Sequence, residues 1–260
     1  MNYRIYYILI FIGILFSSCV PTQDLIYLQK KGSTDSNAVT PIPVKPYRLQ
    51  TFDILNISVK AIDPKMVEIF NNDISSTINI SEQSLYTKGY SIDDHGNIRM
   101  PILGEVNILG YTLDEARIKI ENQLLKDHFK ETAGIYVSVK LAGFRYTVNG
   151  EVGHTGSTIL YQDRVNVFEA IANSGDITIT GDRKDVKVIR RFPQGTETYS
   201  IDLTDERAVL SPAYYLQPND YIYVKPLKQK TWGTGKTGIE SLSTIITILS
   251  LATTTFLLLK

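Results

Sequence analysis

The sequence predicts an α+β body held between two apolar ends. Three observations carry that prediction. Short alternating apolar segments recur along the middle of the chain, bounded by Gly, Pro, Asn or Asp, which is the pattern of half-buried strands. Two stretches instead repeat their apolar residues at helical spacing, each behind a capping residue. The two termini are apolar runs, unlike the polar body between them.

Composition narrows the function classes. The 260 residues include 27 basic and 27 acidic side chains, for a net charge of +0. That excludes a nucleic-acid binder relying on bulk positive charge. One cysteine excludes intrachain disulfides and cysteine zinc sites. The three histidines, His95, His128 and His154, show no metal-ligand spacing. No cofactor motif and no catalytic residue is nominated. Asp93 and Asp94 are adjacent carboxylates in a turn and serve that turn.

Residues 1–18 read as a targeting segment. Arg4 gives a positive start, and Ile5 to Phe16 is an apolar run followed by Ser17, Ser18 and Cys19. Such a run is short for a membrane span and suits a secretory signal. Phe16-Ser17-Ser18-Cys19 resembles a lipobox. That resemblance implies cleavage before Cys19 and acylation at Cys19, where several acyl chains would hold membrane lipid firmly. A plain secreted chain with a free Cys19 is the other reading. Residues 19–44 form a polar lead. Lys30 to Asn37 reads as exposed linker, stiffened afterwards by Pro41, Pro43 and Pro46.

The body falls into two units, residues 45–142 and 143–228. In the first, Asp53 to Lys60 is a strand and Met66 to Asn71 a short helix. Asn72 to Glu82 is a polar insertion. Gly89 to Ile92 and Ile98 to Pro101 are expected to form a hairpin about Asp94-His95-Gly96-Asn97. Thr112 caps a helix from Leu113, with Glu115 completing a capping box. Ile135 to Leu141 alternates as a strand. In the second unit, Arg145 to Asn149, Asp185 to Arg191, Glu197 to Asp202 and Tyr221 to Val224 are strands. Gly150 to Gly156 is a connection, and Asn166 caps a helix through Ala172. Lys30-Lys31 and Arg190-Arg191 read as solvated basic pairs.

One pattern occurs twice. Tyr47-x-Leu49-Gln50-x-x-Asp53 is echoed by Tyr214-x-Leu216-Gln217-x-x-Asp220, and each precedes a strand. Both read as a tight turn in which Asp53 or Asp220 bonds backbone amides.

Residues 229–240 read as a hinge and 241–260 as a transmembrane helix. Gly233-Thr234-Gly235-Lys236-Thr237 has Lys230 where a phosphate loop needs its first glycine, so the hinge reading stands. Ser241 to Leu259 is uncharged and, as a helix, reaches roughly 30 Å, the thickness of a bilayer core. Ser243, Thr247, Ser250 and Thr254 share one stripe. Hydroxyls in such helices face neighbouring helices or water, which makes these four candidates for lining a pore. The other readings are a tail anchor whose hydroxyls bond their own backbone and a helix buried in a soluble fold.

Five segments carry a resemblance to a family. They are Tyr47 to Leu55, Gly89 to Gly104, Gly110 to Ala116, Val148 to Val152 and Leu216 to Pro226. In this order they resemble the outer-membrane polysaccharide export proteins, the Wza-type capsule and exopolysaccharide exporter lipoproteins. The resemblance implies a polysaccharide-export domain followed by one soluble-ligand-binding β-grasp domain. It also implies a homo-oligomeric ring with its body in the periplasm and a barrel of C-terminal helices through the outer membrane. An inner-membrane polysaccharide co-polymerase would be its partner and a polysaccharide chain would occupy its lumen. Thr155 stands where that family often has Pro. The expectation is therefore a non-enzymatic export channel. The alternative is an envelope sugar-binding or scaffolding lipoprotein with an anchor and no pore.

Overall fold

The computed structural model describes residues 21–31, 46–71, 86, 88–192, 194–228, 243, 245–251, 253 and 254. Cys19, the signal segment, the 72–82 insertion and the 229–240 hinge lie outside them. Mixed α/β structure is present, in two units with separate cores.

The first unit is built on β1 (Ile54–Lys60), whose alternation turns Leu55, Ile57 and Val59 inward. β1 is the centre of an antiparallel three-stranded sheet, between β2 (Tyr90–Ser91) and β5 (Tyr136–Leu141). A 3₁₀ turn, Pro64–Phe70, follows β1 and buries Val67 and Phe70. α1 (Leu113–Asp127) packs Ala116, Ile120 and Leu124 into the same core. Its capping box forms as the sequence predicts: Glu115 N donates to Thr112 Oγ1 at 3.2 Å, and Thr112 N donates to Glu115 Oε2 at 2.9 Å.

The expected hairpin is corrected. β3 (Asn97–Met100) pairs with β4 (Gly104–Asn107), not with β2, and the chain reverses at Pro101 to Leu103. Asp93 explains the difference. Its Oδ1 accepts the amides of His95 and Asn97 at 2.9 and 2.7 Å, making a local side-chain turn. That turn sends the chain from one sheet to another. The Ile108 amide then donates to the Gly96 carbonyl at 2.9 Å and draws β4 alongside.

The second unit has one five-stranded sheet in the order β7-β6-β10-β8-β9. These are β6 (Phe144–Gly150), β7 (Gly156–Leu160), β8 (Gly181–Phe192), β9 (Gly195–Ile201) and β10 (Asp220–Pro226). β6 and β10 are parallel at the centre, and the other pairs are antiparallel. α2 (Val167–Asn173) covers one face, with an Asn166–Glu169 capping box. Tyr146, Val148, Val186, Val188, Ile222 and Val224 form the sheet side of the core, and Val167, Ala170 and Ile171 the helix side. Gly150 ends β6 at φ +99°, and a Cβ there would meet the Val224 carbonyl oxygen at 2.0 Å. Only glycine fits that approach. β7 begins at Gly156, the last residue of the stretch expected as a connection.

The polar lead is also corrected. Residues 21–31 are a strap laid on the second unit. The amides of Leu28 and Gln29 donate to the carbonyls of Leu203 and Thr204 at 3.1 and 2.8 Å. Tyr27 packs edge-on to Phe168, with ring centroids 5.7 Å apart. Its hydroxyl bonds Asp176, and burial with that bond pushes the phenol up to about 12. Lys31 pairs with Asp202 at 2.8 Å, so this lysine is not a solvated charge alone. Within the polar lead, Tyr27 packs on the core, and the backbone amides of Leu28 and Gln29 hold the strap in place, while the side chains of Ile26 and Leu28 stay exposed.

No helix among the described residues is long and apolar enough to cross a membrane. The expected span over 241–260 is only partly described, and its described residues are helical.

Candidate functional site

The repeated motif folds into two matching turns. In the first, the Asp53 amide donates to the Gln50 carbonyl at 3.3 Å, and the Gln50 amide returns a bond to Asp53 Oδ2 at 2.9 Å. In the second, the Asp220 amide donates to the Gln217 carbonyl at 3.1 Å, and the Gln217 amide to Asp220 Oδ2 at 2.7 Å. The residue before each aspartate has positive φ, 69° at Phe52 and 67° at Asn219. That is the third position of a turn that favours Gly or Asn there. Leu49 and Leu216 are buried as the apolar footing of each turn. Each positive-φ residue also donates its amide to a neighbouring strand or loop: Phe52 to the Ile92 carbonyl at 2.8 Å, Asn219 to the Arg145 carbonyl at 2.7 Å.

The two carboxylates differ in partner. Asp53 is 4% exposed, and its Oδ2 also accepts the Tyr47 hydroxyl at 2.7 Å. Burial pushes the Asp53 carboxyl above the ordinary aspartate range, against the pull of the Gln50 amide and the Tyr47 hydroxyl. Burial and the neighbouring Asp53 push the Tyr47 phenol up, so Tyr47 stays a donor. Asp220 is 1% exposed and meets the Arg190 guanidinium, with Arg190 Nε and Nη2 at 3.0 and 2.7 Å from its two oxygens. Burial pushes Asp220 up too, but here a full positive charge opposes it. Arg190 is itself buried, so the expectation of a solvated Arg190-Arg191 pair is corrected. Strand alternation carried the signal: Arg190 shares the inward face of β8 with Val186 and Val188. A buried charge needs a partner, and Asp220 is in reach.

A cleft of about 580 Å³ lies where the two turns approach each other. Phe52, Asp53 and Ile54 line one wall, with Pro218 and Asn219 from the second turn and Arg145 from β6. Phe52 is 73% exposed and Tyr86, also lining the cleft, is 74% exposed. A bulky side chain in the left-handed region costs about 1–2 kcal/mol, and a side chain as exposed as Phe52 regains little of it by burial. The sequence pattern located the turns and included Tyr47, but it did not single out Phe52 or Arg190 as their working neighbours.

The remaining sequence candidates lie elsewhere. Thr247 Oγ1 donates to the Ser243 carbonyl at 2.8 Å, Ser250 Oγ to the Thr247 carbonyl at 2.9 Å, and Thr254 Oγ1 to the Ser250 carbonyl at 2.7 Å. Each hydroxyl is thus bonded within its own helix and keeps lone pairs to accept further bonds. Cys19 lies outside the described residues. Asp93, Asp94 and His95 come together on the surface, but Asp93 is occupied by its turn amides.

Both ends of the body meet at one pole of the second unit. Asp24, in the 3₁₀ turn that opens the strap, pairs with Lys184 Nζ at 2.7 Å. The Leu227 amide, just past β10, donates to the Thr180 carbonyl at 2.8 Å. Thr180 and Lys184 flank the start of β8. The cleft lies at the opposite end of β10, beside Asp220. Seven residues of strand put roughly 20 Å between them.

Residues 42–142 match a family model described as "Polysaccharide biosynthesis/export protein". The match spans the first unit from before the Tyr47 motif to the end of β5.

Proposed function

We propose that the chain is, through residues 42–142, a member of the polysaccharide biosynthesis/export protein family with a role in polysaccharide export, and that it is the subunit of an outer-membrane export channel. In this reading Cys19 carries the lipid, the body stands in the periplasm, and residues 241–260 cross the outer membrane. Copies pack laterally into a homo-oligomeric ring enclosing a wet corridor, fed by an inner-membrane polysaccharide co-polymerase. The protein does no chemistry. It confines a hydrophilic chain that is pushed from below.

The common exit of the two chain ends carries the proposal. Cys19 precedes the strap turn at Thr22, and the chain leaves β10 toward residues 241–260 beside Thr180. Two membrane attachments leaving one pole hold the body in a single orientation, which a ring of identical subunits requires.

A second reading, an anchored envelope lipoprotein with no pore, is favoured by one observation. The hydroxyls of Thr247, Ser250 and Thr254 already bond their own helix, as in a simple tail anchor. Electron microscopy of the acylated chain in mild detergent separates the two, with and without the residues after Gly238. Rings with a central membrane density that disappears on truncation are expected. Monomers in both preparations, with the co-polymerase added, refute the channel and leave the anchored lipoprotein.

A further inference from the structure

The cleft between the twin turns carries a bulky aromatic at a position whose geometry does not call for one. Asn219 occupies the positive-φ position of the second turn, as the geometry favours. The same position of the first turn holds Phe52, with its ring exposed at the cleft wall. Backbone strain without a packing return concentrates at functional sites. The rest of the lining is consistent with one kind of ligand. Phe52 and Tyr86 offer two exposed aromatic faces, while Asp53 and Asn219 bring an acceptor and an amide to the same space. Both described bonds to the Asp53 side chain land on Oδ2. A pocket of this size with apolar walls and a few placed polar groups suits a small organic ligand.

A pyranose matches that lining. Its axial C–H groups form an apolar face that stacks on an aromatic ring, and its rim of hydroxyls both donates and accepts. A peptide segment would need backbone donors and acceptors in register along a strand edge, and the cleft is lined by two turns instead. We infer that the cleft is a saccharide subsite, holding a short segment of the exported polysaccharide by stacking on Phe52 and by hydroxyl bonds to Asp53 and Asn219. It rests on the export reading above and adds a contact point to it. The site is at the end of β10 away from the pole where both chain ends leave. A chain entering from the periplasm would meet it before reaching the membrane.

The test uses the full-length acylated chain and, as probe, mild-acid fragments of the polysaccharide shed by the source cells. Calorimetric titration is run on the wild type, Phe52→Asn and Ile62→Ala. Phe52→Asn installs the side chain of the second turn, so it keeps the turn and removes the stacking face. Ile62→Ala removes an exposed apolar side chain outside the cleft. Binding is expected in the wild type and in Ile62→Ala, and at least tenfold weaker in Phe52→Asn while its Tm holds or rises. Two results overturn the subsite: a wild type that binds no fragments, or a Phe52→Asn chain that binds them equally. Rings lost in Phe52→Asn with fragment binding intact also overturn it, by making the cleft a contact between copies. Ring formation and surface polysaccharide are read separately in the same strains. Wild-type rings and export without fragment binding remove the subsite alone. Absence of both rings and export removes the channel reading beneath it.

Discussion

The Asp53 and Asp220 turns use the same sequence frame and nearly the same backbone, yet they solve the burial of a carboxylate differently. At Asp220 the partner is a guanidinium that is itself buried, held in a two-pronged pair. At Asp53 the partner is a phenol, with no formal charge to balance the carboxylate. The positive-φ residue differs too: Asn219 suits its position, and Phe52 does not. One turn is built for stability. The other gives some stability up at a cleft. A repeated motif thus transfers geometry between units without transferring what the geometry is for.

The largest expected effect breaks the stable turn. Asp220→Asn leaves Arg190 buried without its counter-charge, and removing one partner of such a pair costs about 3–5 kcal/mol. The matching change, Asp53→Asn, keeps an oxygen to accept from the Gln50 amide and the Tyr47 hydroxyl, and should cost about 1 kcal/mol or less. Urea unfolding of both variants measures the contrast. Equal losses would mean that Arg190 does not set the difference between the turns.

Some of this asymmetry was legible in the sequence. Capping residues Thr112 and Asn166 marked their helices because a cap acts locally, within one turn of chain. The turns at Asp53 and Asp220 were legible for the same reason. The partners were harder, because they arrive from elsewhere in the chain. Arg190 lies thirty residues from Asp220, and only the face it shares with Val186 and Val188 points to burial. The β3–β4 hairpin was misplaced because Asp93-Asp94-His95-Gly96-Asn97 carries a strong turn signal whichever strands flank it. The strap was missed because its partners, the Leu203 carbonyl for the Leu28 amide and the Phe168 ring for Tyr27, lie far along the chain. The cleft is legible only once two units are folded.

A middle-sized effect sharpens the comparison from the phenol side. Tyr47→Phe removes a hydroxyl bond to Asp53 and should cost about 1 kcal/mol, the net worth of one such bond. It also removes a group that opposes the upward push of burial on Asp53. The pH profile then has a definite sign. Asp53 has its folded pKa above the ordinary value, so between the two values the folded chain keeps a proton that the unfolded chain has lost. Its contribution to stability is full below the unfolded pKa and declines as pH rises through the folded one. Unfolding free energies measured from about pH 4 upward should fall faster in the wild type than in Asp53→Asn, and faster still in Tyr47→Phe. A wild type and Asp53→Asn with parallel profiles would show that Asp53 is not raised.

The smallest expected effect concerns the two positive-φ residues, and it runs in opposite directions. Phe52→Asn puts a residue that tolerates the left-handed region where a bulky one now sits, and should raise stability by about 1 kcal/mol. Asn219→Phe should lower it by a similar amount, since the frame is the same and the side chain is again the misfit. Both are read as shifts in the urea midpoint at constant m-value. Opposite shifts would establish that the first turn carries removable strain. A loss of stability in Phe52→Asn would instead mean that the exposed ring contributes to the fold, and the contrast between a stable turn and a working one would collapse.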